Sequence, residues 1–316
     1  MVKNILLILI SQIFMFAFME QIFAYQIQDL PEVEVKGDIV LSPTKVELFM
    51  DPGEKIGKEI MITNRTGNTV NFSIGIEDFK GSRDINQPII FLGKEKDPYS
   101  LKDLISPEIR GFTLRHGQRI YIPVEVSIPL DADSGGRYGV VFAVIKPDVS
   151  TAAEANAGQV AIVARAGVLF FVRVNGDTKE EGSLKDFQIS KKFYEKGPIL
   201  FDVLFENNGS VHLSPYGTIE ITNLLGGNVG KIELDPWFVM PDSLRLREAV
   251  WEGGFLFGKY TATVTVSRGY RDIIDQKSIS FWVIPWKIVM AGIVVLFLVV
   301  WFFGWIFSKF EFRRKT

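Results

Sequence analysis

Gly117–Pro129 reads GQRIYIPVEVSIP, and its apolar residues Ile120, Ile122, Val124, Val126 and Ile128 fall on every second position. Side chains along an extended strand alternate between faces. A period of two therefore predicts a strand with one face in a core and Arg119, Tyr121, Glu125 and Ser127 on the other. Pro123 stands in the outer row. It has no N–H to give a ladder, which predicts an edge strand or a bulge at that point.

Working outward, Val70, Phe72, Ile74 and Ile76 repeat the alternation in 69–76, behind the turn-forming NRTGN of 64–68 and the run 58–63. That order predicts a hairpin. Tyr138–Lys146 (YGVVFAVIK) and Ala161–Val174 (AIVARAGVLFFVRV) are apolar nearly throughout, as strands buried on both faces are. The stretch 147–159 between them, rich in Ala, Ser, Asp and Gly, reads as a loop or as one weak helical turn at Thr151–Ala155. Ser100–Ile105 is the one other helical candidate in this half, and it is short. With no helix long enough to cross between parallel strands, the sheets are expected to be antiparallel. Residues 25–36 read as a flexible lead and 37–175 as a first domain.

The segment NGDTKEEGS (175–183) is polar and turn-forming, so 176–183 reads as a linker. Alternation then restarts in 184–285, with Phe201, Val203 and Phe205, then Ile219 and Ile221, then Tyr260, Ala262, Val264 and Val266, and last Ile279, Phe281 and Val283. Short strands, turn signals and no helices predict an all-β chain of two tandem immunoglobulin-like antiparallel β-sandwiches.

The chain carries two apolar stretches of another kind. Residues 288–307 (IVMAGIVVLFLVVWFFGWIF) hold no charge and are long enough for a transmembrane helix, with Trp286 as an interfacial anchor. The tail 308–316 is basic, with Lys309, Arg313, Arg314 and Lys315 against Glu311, and a basic flank belongs on the cytoplasmic side. At the other end Lys3 precedes the apolar run Ile5–Met19, so 1–24 reads as a signal peptide cut after Ala24. The expectation is a single-pass type I protein of the cell membrane with its ectodomain outside the cytoplasm.

Composition narrows the chemistry. There is no cysteine, which removes disulfides, thiolate metal sites and cysteine nucleophiles. A net charge of −2 gives no footprint for nucleic acid. The two histidines, His116 and His212, fall in different predicted domains, so neither a His-based metal site nor a serine–histidine triad is supported. Asp131 and Asp133, ahead of Gly135, resemble only the start of a calcium loop and read as a turn. Asp235–Pro236–Trp237–Phe238 and Trp251 read as core or corner aromatics, with an exposed pair for stacking on sugar rings as the alternative. The expectation is a non-enzymatic protein without cofactor or metal. For ligand contact, the loop Asp131–Tyr138 offers Arg137 and Tyr138 behind the Gly135–Gly136 hinge.

Two longer stretches carry a family resemblance. LSPTKVELFMDPGEKIGKEIMITNRTGNTVNFSI (41–74) with IPLDADSGGRYGVVFAV (128–144) resembles the amino-terminal domain of bacterial WxL-interacting cell-surface proteins. VLFENNGSVHLSPYGTIEITNLLGG (203–227) resembles the opening of the second domain in that architecture, at Asn207, Gly209, His212, Pro215 and Gly217. The resemblance implies a peptidoglycan-binding domain followed by a host- or partner-binding one, and so an anchored adhesive or scaffold protein whose partner is cell-wall glycan or another surface or secreted protein. The first stretch is also similar to the amino-terminal sandwich of periplasmic pilus chaperones, which hold subunits by strand addition. That similarity implies an anchored chaperone or assembly factor presenting an edge strand to secreted clients.

Overall fold

The computed structural model describes residues 25–146, 164–254 and 256–309. The signal peptide expected in 1–24, the loop 147–159 and all of the basic tail after Lys309 lie outside the described residues. The described chain divides into two compact units. One runs up to Phe79 and resumes over Phe91–Gly176; the other holds Lys80–Ile90 and everything from Asp177 on.

In chain order the first unit uses β1 (Gln26–Asp29), β2 (Asp38–Ser42), β3 (Lys45–Met50), β4 (Lys55–Arg65), β5 (Val70–Gly81, in this unit as far as Phe79), β6 (Ile89–Phe91, in this unit only at Phe91), β7 (Ile105–Pro107), β8 (Gly111–Leu114), β9 (Gln118–Ser127), β10 (Gly135–Lys146) and β11 (Arg165–Val174). One sheet runs β1-β9-β4-β2 with β7 also on β9; the other runs β3-β11-β10-β5-β6 with β8 also on β5. The inward row of β9 is fully buried between the sheets, where it joins Ile60, Ile62, Phe72, Val141, Val168 and Phe170 in one core. The segment Ser100–Ile105 forms a single 3-10 turn, Lys102–Leu104.

Four sequence expectations need correction here. Pro123 is in neither an edge strand nor a bulge. Facing Glu59 of β4, it sits where the neighbour on its other side changes from β1, which pairs as far as Tyr121, to β7, which begins opposite Val124. The missing N–H falls in that gap, while the Pro123 carbonyl still accepts from Glu108 N at 3.0 Å. The turn 64–68 does not close a hairpin, because β4 and β5 belong to different sheets and the chain turns a corner of the sandwich instead. The lead 25–36 contributes β1, since β9 offers a ladder that even the polar QIQD can fill. Finally, β3 runs parallel to β11. A strand that arrives from the opposite sheet lies parallel without any crossover helix, which the antiparallel argument overlooked.

The second unit contains β12 (Gly182–Ile189), β13 (Phe193–Tyr194), β14 (Ile199–Asn207), β15 (Tyr216–Asn223), β16 (Asn228–Leu234), β17 (Ser243–Trp251), β18 (Gly258–Ser267) and β19 (Ile274–Val283). Its sheets run β12-β14-β17 and β13-β19-β18-β15-β16, again with one parallel pair, β13 on β19. Phe201, Val203, Phe205, Ile219, Val264 and Phe281 are fully buried between them. The expected linker is shorter than 176–183. Ser210 N donates to Lys179 O at 2.8 Å and Asn208 N to Glu181 O at 2.7 Å, and β12 has begun by Gly182.

The last element is α1 (Trp286–Lys309), a helix of 24 residues. Its stretch Trp286–Ile306 is long and apolar enough to cross a membrane, and none of it is buried. At ~1.5 Å per residue such a helix exceeds the ~30 Å hydrocarbon core. The fold is thus all-β and immunoglobulin-like, with one C-terminal apolar helix.

Candidate functional site: an empty strand position

The second sheet of the first unit is buried on both faces. Val141 and Ala143 of β10 face the main core, whereas Tyr138 and Phe142 face the other way. There Phe79, Tyr138 and Phe171 meet at ring-centroid distances of 5.6–6.0 Å. Phe91 meets Phe79 and Phe142 on that face at 6.5 and 5.7 Å, and Tyr99 meets Tyr138 at 6.1 Å. Buried Asp78, on the main-core face, holds the turn that follows Tyr99 through Oδ1, which accepts from Leu101 N at 2.7 Å and Lys102 N at 2.6 Å. This second core explains why the sequence of β10 does not alternate.

At one edge of that sheet the strands are of unequal length. β11 pairs with β10 from Arg165 to Val174, but β3 pairs with β11 only from Leu169 to Val174. Leu169 N donates to Thr44 O at 3.1 Å, and just upstream the chain leaves for β2 in the opposite sheet. Among the described residues, Arg165–Val168 therefore has a strand on one side only, a vacancy about 13 Å long at ~3.3 Å per residue. Ala164 O accepts from Ile145 N at 3.0 Å. Alternation then directs the backbone N–H and C=O of Arg165 and Gly167 to the vacant side.

The walls of the vacancy are defined. Val168 is buried toward the core, and Ile39 and Leu41 of β2 are half-buried against the same core, with β2 packed beside β11. On the outer face the Arg165 guanidinium lies 4.2 Å from the Phe142 ring centroid and 5.5 Å from that of Phe91, and bonds Glu77 at 2.9 Å. A Cβ on Gly167 would meet Phe142 at 2.8 Å, so the ring closes tightly over the strand. Asp38, at the far end of β2, is held below the usual carboxylate range chiefly by hydrogen bonds from Arg65, at 2.8 and 2.6 Å. Phe49 at the far end of β3 is 64% exposed.

The residues expected to contact ligand are placed otherwise. Tyr138 is fully buried in the second core, so Arg137 and Tyr138 do not form an exposed pair. Gly135 takes φ +137°, and a Cβ on Gly136 would lie 2.0 Å from the Tyr138 hydroxyl, so the glycines make room for that ring. Arg137 donates to the carbonyls of Gly136 and Asp133 at 2.9 and 3.0 Å and braces the turn. Trp237 and Trp251 are buried as well, which removes the sugar-stacking alternative for them. His116 accepts from Gly67 N at 3.2 Å and contacts Val33 O at 3.0 Å, a strut between two turns. Among the described residues no cluster of three or more His, Asp or Glu side chains is arranged to hold a metal ion.

Asn207, singled out in the sequence, is a structural residue. Its Nδ2 donates to Val211 O and Val239 O, both at 2.9 Å, and its Oδ1 accepts from Gly209 N at 2.8 Å. Asn64 makes the same set in the first unit, to Asn68 O, Leu114 O and Thr66 N at 2.8–2.9 Å. A separate groove of about 630 Å³ lies outside β4 and β9 on the first sheet, floored by Gly57 and Pro123 and bordered by Glu59, Glu108 and Glu125.

The vacancy beside Arg165–Val168 was missed in the sequence. AIVARAGVLFFVRV reads as one continuous buried strand, and nothing local marks where β3 stops alongside it.

No protein-family model and no curated protein sequence matches the chain. Solved structures that it resembles include the chaperone–tip adhesin complex of CFA/I fimbriae biogenesis, at 11% identity and a TM-score of 0.37 over 78% of this chain and 99% of that one. They also include the Pseudomonas aeruginosa CupB2 chaperone, at 12% and 0.35 over 77% and 100%, and the E. coli chaperone DraB, at 12% and 0.33 over 78% and 96%. These values are too low to carry a functional argument. The resemblance to WxL-interacting proteins finds no counterpart in a family model.

Proposed function

We propose that this chain is a non-enzymatic, membrane-anchored chaperone or assembly factor that takes an extended segment of an exported protein into the vacancy beside Arg165–Val168. One observation carries the reading: among the described residues, β11 offers backbone groups with no strand partner in a position lined by apolar side chains, continuous with an existing strand row. Main-chain hydrogen bonds would supply affinity there, and alternate side chains entering between Val168 and Leu41 would supply selectivity. The basic residues after α1 support a type I orientation that puts both units outside the cytoplasm. Cell-wall glycan as the partner rested on the resemblance to WxL-interacting proteins, which no family model supports, and the burial of Trp237 and Trp251 takes away the separate sugar-stacking alternative at those rings.

The test uses the full chain in its own membrane, with a photo-crosslinking residue at Arg165 and a control at Gln276 on β19. The Arg165 probe should capture an exported protein through one stretch, and that stretch, added as a peptide, should slow exchange of the Gly167 amide. Equal capture by both probes, or unchanged Gly167 exchange, would overturn the reading.

A further inference from the structure

The geometry points to a second membrane contact, in which the loops of the second unit beside α1 rest in the phospholipid headgroup layer. It relies on α1 crossing a bilayer and is otherwise independent of the strand vacancy. Strand register places these loops. Gly258 pairs with Val283, two residues before Pro285, and Tyr260 pairs with both Asn223 and Phe281. Leu224 and Leu225 follow Asn223 at the β15–β16 turn, so the turn reaches about 7 Å beyond the level of Phe281 at ~3.4 Å per residue. Phe257 precedes Gly258 and lies at the level of Ile284.

The side chains in these positions are the wrong ones for water. Leu224 is 72% exposed, Leu225 93% and Phe257 62%, and Ile284 and Trp286, where β19 leads into α1, are exposed as well. The headgroup region on each side of a bilayer is ~5–7 Å deep, half the difference between its full and hydrocarbon thickness. A span starting at Trp286 therefore brings that region up to these loops. Lys287 bonds Glu195 at 2.9 Å, and Lys287 and Lys196 line a shared cleft with Leu256, Pro285 and Ile288. Exposed leucine and phenylalanine beside lysines are a composition suited to lipid headgroups over acyl chains. Two anchoring points in addition to the helix would fix the tilt of the second unit on the bilayer.

The cysteine-free chain allows single labels. Leu225→Cys, Phe257→Cys, Ile274→Cys at the opposite end of the unit, and Phe297→Cys in mid-helix would each carry an environment-sensitive fluorophore. The full-length protein would be reconstituted in phosphatidylcholine–phosphatidylglycerol vesicles. Labels at 225 and 257 should be quenched by headgroup-level nitroxide lipids, show blue-shifted emission and lose quenching by aqueous iodide, while the label at 274 does the reverse. If 297 is quenched by deep nitroxides but 225 and 257 behave like 274, the headgroup contact is wrong and the span stands. If 297 also behaves like 274, the membrane reading itself fails.

Discussion

In the first unit β3 lies along six residues of β11; in the second β13 lies along two of β19. Apart from β1, β7 and β8, which the second unit lacks among the described residues, the strand orders correspond. In each, a strand of the smaller ladder (β2, β12) leads to an edge strand parallel to the last one, and an asparagine stands at or next to the end of the following strand, Asn64 in β4 and Asn207 in β14. By strand pairing alone the second unit should have the larger open edge, Ile274–Phe281. Side chains close it. Asp275 Oδ2 accepts from Leu184 N at 2.8 Å, Lys277 donates to Lys185 O, and Arg268 grips Asp275 at 2.9 and 2.6 Å. Charged groups are one way proteins blunt an edge, and among the described residues no such tie spans the open side of Arg165–Val168. An edge is thus open or closed by its side chains as much as by its strands.

The largest expected effect separates the outer faces of the two last-strand sheets. Phe171→Ala in the first unit removes a fully buried ring that packs edge-on against Phe79 and Tyr138 at 5.6 Å. It should cost about 3–5 kcal/mol, as buried aromatic truncations do. Hydrogen exchange followed across the full chain should show the loss in the first unit alone.

This second core also shows what the sequence could reveal. The apolar run of Tyr138–Lys146 announced burial on both faces, while TATVTV in β18 announced one wet face, and both hold. The inward row of β9 was legible for the same reason: period two is a local property. Partnership was not. Pro123 at a change of neighbours, the corner at 64–68 and the point where β3 stops all depend on residues far along the chain. Tyr138 misled because glycines next to an aromatic read as a presenting loop, when here they make space for the ring.

The shared asparagines test whether the units are equivalent. Asn64→Ala and Asn207→Ala each leave buried or partly buried carbonyls and an N–H without partners. Each should destabilise its own unit by about 2–3 kcal/mol. Exchange should rise around Leu114 for the first variant and around Val239 for the second. A large loss in only one would break the correspondence.

Acid should distinguish the units more weakly. Glu206 is held below the usual carboxylate range, first by a hydrogen bond from Lys185 at 3.0 Å and then by Arg83. A lowered folded value means that the contribution is present above the unfolded carboxyl pKa of about 4.3 and is lost as pH falls through the folded value. Between these limits the second unit should lose up to about 1 kcal/mol that Glu206→Gln does not lose, because surface ion pairs contribute no more. Denaturant midpoints of the two proteins at pH 7 and in that acid window would show the difference.

The smallest effect returns to the outer face, on β18 and β19. Thr263 Oγ1 lies 2.9 Å from Ser278 Oγ and Thr261 Oγ1 3.0 Å from Ser280 Oγ, cross-strand hydroxyl pairs on the solvent side. Water replaces such a bond almost without loss, and cross-strand pairs contribute only ~0.2–1 kcal/mol. Thr263→Ala should therefore shift the second unit by about 0.3 kcal/mol, at the low end of that range. Phe171→Ala, on the corresponding face of the first unit, is expected to cost roughly ten times as much. The two sheets share a strand path, so the ratio measures what covers them. If Thr263→Ala were as costly as the phenylalanine truncation, the hydroxyl face would have to be covered in the folded protein, and its exposure here would not describe the working state.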